Sequence, residues 1–79
     1  MYLRLRQLRL EHGLTQEQVG KLLYVNQSMY SRYENGRIGI PLDALATLAK
    51  YYQVSADYIL GLTDIPTPYS KSTRKIYLY

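Results

Sequence analysis

The sequence predicts an all-α domain, and three observations lead there. Apolar residues recur at helical spacing in short runs: Leu5 with Leu8, Val19 with Leu23, and Leu45 with Leu48, Ala49 and Tyr52. Residues that favour helix N-caps stand ahead of most runs, and Gly or Asn-Gly stands behind them. None of the 79 residues is cysteine, so no disulfide framework or thiolate metal site would hold a different small fold together.

The elements follow in order. A first helix is expected over 3–12, closed by Gly13 in the left-handed conformation. Thr15 reads as the N-cap of a second helix over 16–23. A capping-box partner, Gln18, stands three residues on, and Glu17 suits the positive end of the helix dipole. Tyr24, Val25 and Asn26 form a short connection, with Asn26 capping a third helix over 27–35 that stops at Asn35-Gly36. Residues 37–40 are expected as loop. Pro41 suits the first turn of a fourth helix that runs to Tyr52, its polar face carrying Asp43, Thr47 and Lys50. Ser55 caps a short fifth helix over 56–60, with Asp57 in its first turn and Gly61 at its end.

Five short helices joined by tight turns make a compact bundle over 1–62. Beyond it, 63–79 reads as a tail. Pro66 and Pro68 break structure, and Ile76-Tyr77-Leu78-Tyr79 has the alternation of a short strand, with a disordered basic appendage as the alternative.

Composition narrows the function classes. No apolar run approaches a membrane span, and the chain opens Met1-Tyr2-Leu3-Arg4 with no signal-peptide pattern, so a cytoplasmic protein is expected. The net charge is +4 and unevenly placed. Residues 1–64 hold seven Lys and Arg against six Asp and Glu, whereas residues 65–79 hold three cations and no anion. Such a charge permits nucleic-acid binding without demonstrating it. One histidine, no phosphate-cradling glycine loop and no paired inward carboxylates point away from an enzyme, a cofactor or a metal, and no small-molecule ligand is evident. His12, at a helix end, is expected to offset the helix dipole; Arg4, Arg6 and Lys21 read as a solvated face. All ten aromatic residues are tyrosine, and Tyr33, Tyr52 and Tyr58 are expected in the core.

The informative stretch runs from Leu14 to Gly36. It reads as two short helices around a tight turn, with small Gly20 where they would approach, Val25 plugging the turn, and polar residues on the outer face of the second helix. Such a unit can project one helix into a major groove while the other braces across the backbone. Leu5-Arg6-Gln7-Leu8-Arg9, Leu14-Thr15-Gln16-Glu17, Ser31-Arg32-Tyr33-Glu34-Asn35-Gly36, Leu48 to Ser55 and Asp57 to Gly61 together resemble the lambda-repressor and Cro-like helix-turn-helix family. The nearest likeness is to short single-domain transcriptional regulators of Gram-positive bacteria and their mobile elements.

The resemblance implies a homodimeric, sequence-specific binder of double-stranded DNA, most simply a repressor. It implies that Gln27, Ser28 and Arg32 read base edges, glutamine suiting adenine and arginine guanine. It implies phosphate contacts from Thr15, Gln16, Asn35 and Arg37, with Gln16 also bracing Gln27. Arg9 and Glu34 match a structural ion pair between helices 1 and 3. Three positions depart from the family pattern. Tyr24 replaces a turn glycine. Tyr30 replaces a branched aliphatic, its ring expected inward and its hydroxyl on the DNA backbone. Leu10 replaces a charged surface residue.

Two rival classes remain. An antitoxin or anti-repressor would use the same fold to bind a protein, but should show an apolar outer face on helix 3. Single-stranded RNA binding by tyrosine stacking would need the tyrosines on one platform. Dimerisation in the family points to Ile38, Ile40, Ala56 and Ile59. Leu3 and Leu10 form a second apolar stripe on helix 1, and the segment 76–79 is expected to dock there or to pair with a second subunit.

Overall fold

The computed structural model describes residues 4–68. Five helices follow one another: α1 (Leu5–Glu11), α2 (Gln16–Leu22), α3 (Gln27–Glu34), α4 (Leu42–Tyr52) and α5 (Ala56–Ile59). Among the described residues there is no strand.

Local chemistry sets most boundaries. Thr15 and Gln18 form a reciprocal capping box: Gln18 N donates to Thr15 Oγ1 at 3.1 Å, and Thr15 N donates to Gln18 Oε1 at 2.8 Å. Asn26 Oδ1 accepts from Met29 N at 2.7 Å, and Ser55 Oγ accepts from Tyr58 N at 3.0 Å. Helix ends fall up to a residue short of the expected ones, at Glu11, Leu22, Glu34 and Ile59. Pro41 differs more. It sits outside the first turn of α4, at the N-cap, with extended backbone (ψ 152°), and its carbonyl accepts from Leu45 N. A proline fixes φ near the value that both positions use, so either is compatible with its ring.

α2 and α3 pack closely through Gly20. A Cβ there would lie 2.8 Å from the Val25 carbonyl oxygen, closer than carbon and oxygen tolerate, so only glycine lets the turn close. Tyr24, in that turn, adopts φ +59° with a side chain that is 96% exposed. The turn keeps its geometry and the tyrosine carries the strain.

The core gathers Leu5 and Leu8 from α1, Val19 from α2, Tyr30 and Tyr33 from α3, Leu45, Leu48 and Tyr52 from α4, and Val54 and Ile59 around α5. Tyr58 is half-buried and carries the Arg4 guanidinium over its ring, 4.1 Å from the centroid. Arg4 is therefore no solvated residue. It donates to the carbonyls of Tyr58 and Thr63, both at 2.7 Å, and to Asp64 Oδ1 at 2.7 Å. The segment after α5 folds back along that helix, with Leu62 N on Asp57 O and Ser55 N on Pro66 O. Residues 62–66 are largely exposed, yet the hydrogen bonds of Arg4 and Ser55 tie them to the bundle. The tail docking expected of 76–79 on Leu3 and Leu10 lies outside the described residues, apart from Leu10, which is exposed.

Candidate nucleic-acid interface

α3 is polar on one side for a physical reason. At ~100° per residue, Tyr30 and Tyr33 share the inward face, and Gln27, Ser28 and Arg32 fall on the outward one. These three are exposed. They line an open depression of about 550 Å³, together with Asn26, Ser31, Asn35, Gln16 from the start of α2, and Arg37 from the following loop. The lining holds two cations and no anion. Among the described residues neither Arg32 nor Arg37 meets a carboxylate at ion-pair distance, so both charges face outward without a partner. Asn35 Nδ2 donates to Ser31 Oγ at 3.3 Å, which steadies the rim at the end of α3.

Beneath the depression lies a bidentate ion pair. Arg9 Nε donates to Glu34 Oε2 at 2.8 Å, and Nη2 donates to Oε1 at 3.0 Å. The two side chains are 11% and 3% exposed. Arg9 Nη1 also donates to the Leu14 carbonyl at 3.0 Å, and Gln16 Nε2 donates to Glu34 Oε1 at 3.2 Å. Burial opposes ionisation of Glu34, but the donors from Arg9 and Gln16 hold its carboxyl below the usual range. The hydrogen bond to Glu34, against the opposing effect of burial, raises the basicity of Arg9.

Of the residues that the resemblance assigns to DNA, the structure brings Gln16, Gln27, Ser28, Arg32, Asn35 and Arg37 to one surface. Thr15 stays outside the depression, its hydroxyl oxygen engaged by Gln18 N. Tyr30 is a correction. It is 0% exposed, its ring fills the core and its hydroxyl is turned to the Arg9–Glu34 pair, so it has no surface to offer a phosphate. Ile59 is a second correction. At 1% exposed it belongs to the core and cannot form an interface, whereas its neighbours Leu60 and Leu62 are exposed. Sequence reasoning missed Arg4, whose partners are mostly backbone carbonyls 54 and 59 positions away and leave no local signal.

A tight α2–turn–α3 unit on a helical core, with a polar and cationic outer face on α3, defines a helix-turn-helix DNA-binding domain. The helix-turn-helix family profile matches residues 5–59, and the chain belongs to that family, of the lambda-repressor and Cro-like kind. It is similar to an uncharacterized HTH-type transcriptional regulator, YobD, of Bacillus subtilis (strain 168), with 52% identity over 82% of this chain and 58% of that protein. It is also similar to the HTH-type transcriptional activator BcrR of Enterococcus faecalis, with 35% identity over 96% of this chain and 39% of the other. A third relative is the HTH-type transcriptional regulator ImmR of Bacillus subtilis (strain 168), 32% identical over 78% of this chain and 49% of that protein. The chain thus spans between 39% and 58% of the length of these relatives. No solved structure matches it. Among the described residues no helix is long and apolar enough to cross a membrane.

Proposed function

We propose that this chain binds double-stranded DNA sequence-specifically and regulates transcription, as a homodimer in the cytoplasm. α3 enters the major groove. Gln27, Ser28 and Arg32 meet base edges, while Gln16, Thr15, Asn35 and Arg37 meet phosphates on either side. The observation that carries this reading is the depression along α3, lined by amides, hydroxyls and two unpaired cations with no anion among them. A protein-binding module would show an apolar surface there; Met29, the apolar residue of that stretch, is half-buried against the core.

Dimerisation would place two copies of α3 about one DNA turn, ~34 Å, apart. Exposed Ile38, with Ile40 and Ala56, supplies apolar surface for it in place of Ile59. Binding alone suffices for repression by occluding a promoter, and this is the mode proposed. The BcrR relative bears the name of an activator, so a promoter fusion is the readout for sign.

The deciding experiment is selection of duplexes by the purified protein from a random pool, followed by gel shifts at several salt concentrations. A palindromic enriched site and a linear fall of log affinity with log salt are expected. No enrichment over the starting pool would overturn the reading.

A further inference from the structure

We infer that Glu34 is a positioning residue for base reading, setting the polarity of the Gln16 amide and through it that of Gln27. This rests on the reading of α3 as the recognition helix. The argument starts from what a carboxylate can do. Ionised, Glu34 only accepts hydrogen bonds, so the group that Gln16 turns toward it must be the NH2 and not the carbonyl. The geometry agrees, with Gln16 Nε2 3.2 Å from Glu34 Oε1. Glu34 in turn cannot rotate freely. Its side chain is 3% exposed and held on both oxygens by Arg9, which is itself tied to the Leu14 carbonyl just ahead of α2. The amide of Gln16 therefore has one orientation, and its carbonyl oxygen is left as the acceptor available to its other neighbours.

Gln16 and Gln27 line the same depression. With α3 in the groove, an acceptor at Gln16 would take the NH2 of Gln27, and the Gln27 amide would keep one N–H and its carbonyl oxygen for a base. That pair is the complement of adenine, which offers N7 as acceptor and N6–H as donor. With Gln16 flipped, Gln27 would turn its carbonyl inward and present NH2 alone, which suits the two acceptors of guanine, N7 and O6. A carboxylate buried under the interface thus chooses between adenine and guanine without touching either.

The test uses the duplex that the wild-type chain enriches from a random pool. The base pair read by Gln27 is the one whose preference Gln27→Ala abolishes. At that pair the wild type is expected to prefer adenine over guanine. Glu34→Gln, whose amide can present either group to Gln16, should reduce that preference about tenfold, the order of one bidentate contact. The double replacement Arg9→Met/Glu34→Leu, which leaves no buried charge, should do the same. A purely structural role lowers the folded fraction and weakens both duplexes equally, so the ratio between them would not move. Once Gln16 is replaced by Ala, adding Glu34→Gln should change the ratio no further. An unchanged adenine-to-guanine ratio in both Glu34 variants, or guanine at the Gln27 position, would overturn the inference while leaving α3 as the reading helix. If the wild type enriches no duplex, the inference falls together with the proposed function.

Discussion

Arg9 grips Glu34 side-on, Nε to Oε2 at 2.8 Å and Nη2 to Oε1 at 3.0 Å, and so joins α1 to the last turn of α3. A buried pair of this kind is costly to break and cheap to replace as a whole, because a lone partner stays desolvated without compensation. Arg9→Met and Glu34→Leu are each expected to lose about 3–5 kcal/mol of stability. Arg9→Met/Glu34→Leu should lose clearly less than the two single losses combined. Urea denaturation of the four proteins measures this, and strictly additive losses would contradict the coupling.

The same pair sets an acid limit. The carboxyl of Glu34 is held lower in the folded state than in the unfolded chain, so its contribution is fully present above the unfolded carboxylate pKa. It is lost as pH falls through the folded value. At the alkaline end the sign reverses for Tyr52, which burial pushes up to about 12. The unfolded chain releases that proton first, near pH 10, so stability falls as pH rises from there toward 12. Denaturation midpoints across pH should drop at both ends. Glu34→Gln should flatten the acid side and Tyr52→Phe the alkaline side; unchanged limbs would show that other groups set them.

How much of this was legible depended on whether a signal is local. Thr15 with Gln18 and Asn26 with Met29 act within one turn, and both caps form where their spacing placed them. The polar face of α3 follows from the helical period alone. Arg4 was invisible because its partners are carbonyls at the other end of the chain. Tyr30 was ambiguous by type, since a tyrosine suits a core and a surface alike. Its spacing of three from Tyr33, which is also buried, was the clue that both rings point inward.

That burial makes Tyr30→Phe informative. The Tyr30 hydroxyl is enclosed and meets no hydrogen-bond partner in good geometry. Its removal should change stability by less than about 1 kcal/mol and leave DNA affinity unaltered. A gel-shift loss comparable to that of Arg37→Ala would instead mean that the hydroxyl reaches a phosphate.

Strain in the α2–α3 turn gives a pair of opposite effects. Tyr24 holds a left-handed backbone without a buried ring to compensate, and that conformation costs a side-chain-bearing residue about 1–2 kcal/mol. Tyr24→Gly relieves it, offset in part by the greater freedom of glycine in the unfolded chain, so a net gain of up to about 1 kcal/mol is expected. Gly20→Ala works the other way, pressing a methyl against the Val25 carbonyl and costing about 1–3 kcal/mol. Melting temperatures should therefore rise for one variant and fall for the other; a rise for Gly20→Ala would mean the turn yields freely.

Base and phosphate contacts separate by what each loss does across sequences. Gln27 and Arg32 are exposed on α3 and carry groups suited to base edges. Alanine at either should weaken binding to the selected duplex by about 1–3 kcal/mol and relax preference at one base pair per half-site. Arg37 lies beyond the end of α3, on the rim of the same depression. Arg37→Ala should weaken all duplexes alike and lower the salt slope by about one unit, because one fewer counterion is released. Titrations of selected and scrambled duplexes at three salt concentrations distinguish the two patterns. A Gln27→Ala protein that binds every duplex as the wild type does would remove α3 from the reading surface, and the depression along it would then need another ligand.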